Sequence, residues 1–262
     1  MKIRRIQAVA LRYLYLYKSG IIGRSIDLYY WPLRDIIMWG LTSIWVLTNS
    51  TSQPTVMLAM LAGVVLWNVS LRTTLVTGTS VFEELVSQNI VNLVTTPLKL
   101  HEWMLGVMSA SGFLASIALV FGIVATWIIY KVPIISIGLV LAPALLILFI
   151  FGWTLGFASA AFVIRNGVRA NTLVYVISWL FGPFVGIFTP LNILPLWAYK
   201  LSRFLPASYA FEAVRAVVVT GSIPLYELAL GLALASIYLI IALLFFTYMF
   251  QKSRSQGLAQ LQ

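Results

Sequence analysis

Apolar residues in this chain gather into six long runs, and polar residues are confined mostly to the gaps between them. A helix needs about 20 predominantly apolar residues to cross the ~30 Å hydrocarbon core of a bilayer. The runs predict six membrane spans: Trp31 to Thr48, Pro54 to about Thr77, Trp103 to Tyr130, Pro133 to Ile164 with Pro143 inside it, Thr172 to Pro195, and Leu225 to Phe250.

Three gaps carry patterns of their own. Between the second and third runs, Phe82, Leu85, Val86, Ile90, Leu93 and Val94 follow the i, i+3, i+4 spacing of one helix face, and Glu83, Glu84, Ser87, Gln88 and Asn92 fill much of the rest. Asn89 on the apolar side and Val91 on the polar side break the pattern. It predicts a short helix within 80–98, ended at "TTPLK", where Pro97 disfavours helical geometry at Thr96, with Glu102 opening the third span.

The start, "MKIRRIQAVALRYLYLYKSGIIGR", reads as an amphipathic helix lying in the membrane interface within residues 1–30. Tyr13, Tyr15 and Tyr17 suit headgroup depth, and the basic residues face anionic lipid. Its longest uncharged run before Arg12 is too short for the apolar core of a signal peptide. Between the fifth and sixth runs, "TPLNILPLWAYKLSRFLPASYAFEAVRAVVV" is too apolar for an ordinary loop. Residues 196–221 are expected to form a re-entrant pair of short helices packed in protein. Within it Glu212 and Arg215 are three apart, close enough to pair on a helix.

Composition agrees with this reading. The chain is 61% hydrophobic and 9% charged, with a mean hydropathy of +0.98, far from the roughly 45–50% apolar and 25% charged of soluble domains. The fold class is therefore all-α integral membrane, a single transmembrane domain over 1–262 with no Gly/Ser/Pro-rich linker. Of the 17 lysines and arginines, only Lys131, Lys200, Arg203 and Arg215 fall in the odd-numbered gaps on one side of a six-span topology. The remainder crowd the other side, which the positive-inside rule makes cytoplasmic, with both termini there. The net charge of +10 is then topological, and no basic soluble face suggests nucleic acid. The chain has no cysteine, which removes disulfides and thiolate metal sites.

Chemistry of the usual membrane enzymes is missing. "SASG" (Ser109 to Gly112) has the look of an intramembrane serine nucleophile, but the single histidine, His101, precedes Ser111 by ten residues, about 15 Å along one helix. The two cannot form a dyad, and small residues at helical spacing serve helix packing. One histidine and seven acids hold no ligand cluster, so no metal site is expected. No Gly-x-x-x-x-Gly-Lys-Ser/Thr phosphate loop occurs. An ion-coupled carrier or channel is the rival reading, since such proteins place ionisable groups inside the membrane. Arg72, four residues after Asn68 on the same helix face, is the one basic residue well within a span. Phe181, Phe184 and Phe188 form a rough aromatic face in the fifth run.

Two segments resemble the membrane permeases of type-2 ATP-binding-cassette (ABC) exporters. "FEELVSQNIVNLVTTPLKLHEWMLG" is similar to the coupling region of such permeases, and "LPASYAFEAVRAVVVTG" to the segment before their last span. The resemblance implies six spans, a basic interfacial helix, and a cytoplasmic coupling helix between spans two and three that docks on an ATPase subunit. Phe82, Glu83, Glu84, Asn89 and Asn92 are the docking candidates. Pro206, Tyr209, Arg215 and Gly221, with Glu212, are candidates for an outer gate. Asn68, Arg72, Phe181, Phe184 and Phe188 are candidates for the pathway. The implied assembly has two ABC ATPase subunits, which bind ATP and Mg, and a second permease copy, identical or similar. It sits in the plasma membrane among its lipids and exports a lipid, lipid-linked glycan, polysaccharide or drug. This chain itself is expected to be neither an enzyme nor a binder of a cofactor.

Overall fold

The computed structural model describes residues 3–19, 26–49, 55–90 and 95–255. It is 89% helix, and the described residues contain no strand. Among the described residues nine α-helices follow in order: α1 Ile3–Ser19, α2 Trp31–Asn49, α3 Thr55–Val86, α4 Leu100–Tyr130, α5 Leu141–Asn166, α6 Asn171–Leu180, α7 Leu196–Ser202, α8 Pro206–Thr220 and α9 Leu225–Ser255. A π-helical turn, Ile26–Tyr30, leads into α2, and a 3-10 turn, Ile134–Val140, leads into α5.

Among the described residues, four segments are long and apolar enough to cross a membrane: α3, α4, Ile134–Asn166 and α9. The protein is an integral, multi-pass membrane protein. The expected first span exists as α2, but Arg34, Asp35 and its polar positions dilute its 19 residues, and it falls short of the other four. The expected fifth span is not one helix. α6 ends at Leu180 after 10 residues, about half the length a crossing needs. Beyond it, Gly182 and Pro183 start a 3-10 turn, Gly186 takes φ 78°, and Pro190 and Pro195 precede further short helices. Proline and glycine override the hydropathy of this stretch, because they withdraw backbone donors and permit the left-handed turn.

The helix expected within 80–98 also differs from its sequence pattern. α3 runs unbroken for 32 residues to Val86, so Phe82, Glu83 and Glu84 sit on its final turns rather than on a separate helix. No proline interrupts 55–86, and Gly78 stays helical against Val174. The helix is closed by Gln88 in the left-handed region at φ 53°. Val91, Asn92, Leu93 and Val94 lie outside the described residues.

α3 is the hub, with 67% of its span window buried against 33% for α4 and 22% for α9. Two glycines of α5 let it press on α3. A methyl group added to Gly152 would lie 2.7 Å from Thr73 Cβ and 2.8 Å from the Ser70 carbonyl oxygen, and one on Gly156 would lie 2.6 Å from Thr77 Cβ. Such close approach is how helices gain van der Waals contact where lipid removes the hydrophobic driving force. The Thr74 hydroxyl also lies 3.2 Å from the Gly152 carbonyl oxygen, to which it donates. Residue 73 meets 152 and 77 meets 156, so α3 and α5 run in the same direction. Gly122 of α4 faces Val65, and Ser111 of α4 faces Thr77, so α4 runs against them. α9 runs with α5, since Gly231 lies beside Ile147 and the Ser253 hydroxyl donates to the Ile164 carbonyl at 3.0 Å.

Two apolar clusters fill the bundle. One holds Ile36, Val65, Trp67, Ile147, Phe151 and Phe211. The other joins α1 to the bundle through Val9, Tyr13, Trp103, Phe157 and Phe246. In this second cluster Trp103 stacks on Phe246 of α9 with centroids 5.7 Å apart and meets Tyr13 of α1 edge-on at 6.4 Å. α1 and the last turns of α9 therefore occupy the same end of the molecule. On the outside, Ile237, Ile240, Ile241 and Leu244 of α9 and Val120, Val124, Trp127 and Ile128 of α4 are exposed, as surfaces that meet lipid must be.

Candidate functional site

Three α-helices converge at the α1 end. α1 places Arg5, Val9, Arg12 and Tyr13 on one face, at spacings of about one and two turns. Val9 packs on Gly106 of α4, where an added methyl would lie 2.5 Å from its Cβ. Against that face stand two acids, Glu84 at the end of α3 and Glu102 in the first turn of α4, each 1% exposed. Arg12 Nη2 donates to Glu84 Oε2 at 2.7 Å and Tyr13 Oη to Glu84 Oε1 at 2.7 Å, while Asn89 Nδ2 donates to Glu84 Oε2 at 2.8 Å. Arg5 Nη1 lies 3.4 Å from Glu102 Oε2 and also donates to the Pro97 carbonyl. Glu102 in turn accepts the Lys99 backbone N–H at 3.2 Å, which satisfies a free donor at the start of α4.

Burial, followed by the neighbouring Glu84 carboxylate, pushes the Tyr13 phenol well above its ordinary pKa. It stays a neutral donor to Glu84 throughout the physiological range. A buried carboxylate is tolerable only when paired and hydrogen-bonded, and α1 supplies that pairing. The expectation that Glu84 presents its charge outward is corrected: it points inward, and the basic residues Arg5 and Arg12 meet protein carboxylates. What the end of α3 does present is Val86, Ser87 and Gln88, all exposed, with Phe82 and Glu83 half-buried. A groove of about 310 Å³ beside this junction is lined by Arg5, Arg12, Asn89, Thr96, Pro97 and Trp103.

A second cleft, about 440 Å³, opens between α1, α3, α6 and the π-helical turn. Arg72, Leu75, Val76, Thr79, Phe82, Glu83 and Val86 line one wall of it, a single face of α3 at helical spacing. Arg72 is 7% exposed, and its Nε has no hydrogen-bond partner among the described residues. The opposite wall brings Asn171, whose Oδ1 is likewise buried and without a partner, with Tyr175 and Asp27. Asn68, expected to share a face with Arg72, is not part of this lining and donates instead to the Val64 carbonyl of its own helix at 2.9 Å.

The aromatic residues expected to form a face in a fifth span do not share one, because α6 ends before them. Phe181 meets Phe151 edge-on at 6.2 Å, Phe184 meets Trp197 at 5.8 Å, and Phe188 stacks on Trp39 at 3.6 Å. All three pack against the first apolar cluster.

α8 gathers the remaining candidates. Pro206 occupies its first turn, where the missing N–H is harmless. Gly221 ends it at φ 71°, and its N–H bonds the Val217 carbonyl at 2.9 Å. Arg215 Nη1 donates to Glu212 Oε1 at 2.6 Å, the pairing that their spacing predicts, and Arg215 Nη2 reaches the Gly186 carbonyl at 2.7 Å. Glu212 Oε1 also accepts the Leu191 N–H at 3.3 Å. The pair thus ties α8 to the broken segment after α6. Tyr209 Oη donates to the Arg203 carbonyl at 2.8 Å, and the Arg203 guanidinium lies over the Tyr209 ring at 4.7 Å.

The serine motif resolves as a packing node. The Ser111 hydroxyl lies 3.0 Å from Trp153 Nε1 and 3.1 Å from Thr77 Oγ1, which both donate to it. His101 is exposed at the start of α4.

An all-helical bundle of this kind, with a charged junction at one end and broken short helices near the other, is that of a multi-pass membrane protein. The sequence model of ABC-2 family transporter proteins matches residues 41–250. The chain belongs to the ABC-2 transporter family and is the transmembrane part of an ABC transporter, and that membership implies an ABC ATPase partner. No curated protein matches it.

Proposed function

We propose that this chain is the permease subunit of an ATP-driven exporter. Two copies, or one with a similar partner, enclose the pathway in the plasma membrane, and two ABC ATPase subunits supply ATP and Mg chemistry that this chain does not perform. Six crossings are completed by α2 and by α6 with the short helices that follow it, with both termini cytoplasmic. The observation that carries this reading is the match to ABC-2 transporters over most of the chain.

The α1 end suits ATPase docking. Val86, Ser87 and Gln88 stand exposed at the tip of α3 with Phe82 and Glu83 beside them, and the buried Glu84 pair fixes that tip to α1. Closure of the ATPases on ATP displaces this end as one unit, and the difference in contacts between the two states supplies the coupling free energy. At the other end, α8 and the Gly186–Leu191 segment form the outer gate. The cargo is amphiphilic or hydrophobic.

The test is co-purification with an ABC ATPase subunit from the same cells. The ATPase should be retained by the native chain and lost with Glu83→Lys combined with Val86→Asp, while the permease stays folded. Transport by the purified chain alone, driven by an ion gradient and indifferent to ATP, overturns the proposal in favour of a secondary carrier.

A further inference from the structure

We infer that α7 is an anchor lying in the lipid headgroup layer at the end of the bundle opposite α1, with Lys200 bound to lipid phosphate. The inference rests on the membrane character of the chain alone and holds whatever the transporter moves. Residues 196–221 are expected from their sequence to pack in protein, and α8 does so, with Pro206, Tyr209, Phe211 and Val214 buried. α7 does not. Of its residues only Ala198 and Ser202, one turn apart, are buried. On the opposite face Leu196 and Trp197, with Phe204 in the turn that follows, are between 64% and 69% exposed. Lys200 is exposed among them, one helical turn after Leu196.

The depth of α7 follows from α9. Arg203, directly after α7, lies 3.5 Å from Glu227 in the first turn of α9. From Glu227 to Lys252 in its last turn, α9 rises about 38 Å. That length exceeds the ~30 Å hydrocarbon core but not the ~40–45 Å of core and headgroups together, so both charged ends of α9 lie among headgroups. α7, tied to Glu227, lies at the same level.

Charge identifies what covers the exposed face. Within residues 196–227, Arg203 pairs with Glu227 and Arg215 with Glu212, which leaves Lys200 as the unmatched charge. Self-association of two copies through this face would carry the ammonium into an apolar contact without an acid, which is unfavourable. Water would leave Leu196, Trp197 and Phe204 uncovered. A headgroup layer suits both kinds of side chain, with the rings toward the tails and the ammonium toward phosphate. It also continues the lipid contact of α9, which exposes Leu225 and Tyr226 beside Glu227.

The chain has no cysteine, so a single introduced thiol can be labelled selectively. Leu196→Cys and Phe204→Cys, each carrying a bimane fluorophore, are placed in the full chain and reconstituted in dioleoyl phosphatidylcholine vesicles. Lipids brominated high on their tails should quench both labels, and iodide in the water should leave them largely unquenched. Iodide quenching without bromolipid quenching places the face in water and overturns the inference. Protection from both quenchers assigns the face to a second copy or another protein, and overturns it equally. The two positions stand in for one another should either variant fail to fold.

The phosphate contact has its own readout at the Phe204→Cys label. Brominated phosphatidylglycerol should quench it more strongly than brominated phosphatidylcholine at equal content. Lys200→Gln should lower that advantage about fivefold, the change expected for one basic side chain at an anionic surface. An advantage that Lys200→Gln leaves intact overturns the phosphate contact.

Discussion

Arginine–glutamate pairs sit near both ends of this bundle, but they join very different things. At the α1 end, Arg12 and Glu84 are 72 residues apart in the chain, and the acid is sealed from solvent with three donors on it. On α8, Glu212 and Arg215 are neighbours on one helix, and the acid is 37% exposed. The first pair fastens one element of the fold to another. The second stiffens a single helix and reaches the Gly186 carbonyl and the Leu191 N–H only with its spare hydrogen-bonding capacity. Solvent access decides the energetic difference, since a buried carboxylate that loses its cation has no water to replace it, whereas an exposed one does.

Breaking the pairs in turn should therefore give a graded series. Arg12→Ala strands the Glu84 carboxylate and is expected to destabilise the chain by about 2–4 kcal/mol, read as a lowered melting temperature in detergent. Arg12→Glu with Glu84→Arg should recover part of that loss. Arg215→Ala is expected to cost about 1–2 kcal/mol, mostly from the Gly186 carbonyl and the half-exposed acid left behind. A double-mutant cycle should accordingly give a larger coupling for Arg12 with Glu84 than for Arg215 with Glu212, and equal couplings would break the comparison. Glu212→Gln keeps an acceptor for the Leu191 N–H and should cost less than about 1 kcal/mol. Smallest is Glu227→Gln on the partly exposed Arg203–Glu227 pair, 3.5 Å apart with side chains 38% and 34% accessible. It is expected to shift stability by no more than about 0.5 kcal/mol, and less at high salt.

The same contrast governs how much the sequence reveals. The α8 pair is legible because its partners lie three residues apart, and so are the limits of α8, where Pro206 and Gly221 act through local backbone rules. α4 and α9 follow directly from runs of apolar residues. The Arg12–Glu84 pair is not legible, since spacing along one element says nothing about which distant element covers it. An acid in an amphipathic pattern reads as solvent-facing, and the tertiary contact with α1 reverses it. The fifth run hides its breaks for another reason. Gly182, Pro183, Gly186, Pro190 and Pro195 stand plainly in it, but mean apolarity outweighed them. In "GWTLG", residues 152–156, glycines four apart in an apolar run are a packing signal as informative as "SASG". Arg72 was legible as an intramembrane charge, whereas its companions Asn171 and Asp27 come from elements whose placement only the fold supplies.

The glycine seam between α3 and α5 sets the step size of any motion. Thr73 and Thr77 fit against Gly152 and Gly156 like teeth spaced four residues apart, about 6 Å along the axis at the rise of an α-helix. Sliding by a fraction of that distance drives methyl-bearing carbons into backbone, so gradual shear along this seam is blocked. α3 and α5 must travel together as one rigid plate or jump by a full tooth. The 32-residue helix α3 and the α5 helix it grips are therefore the stiff part of the fold, and its irregular part is the run of short, broken helices that follows α6.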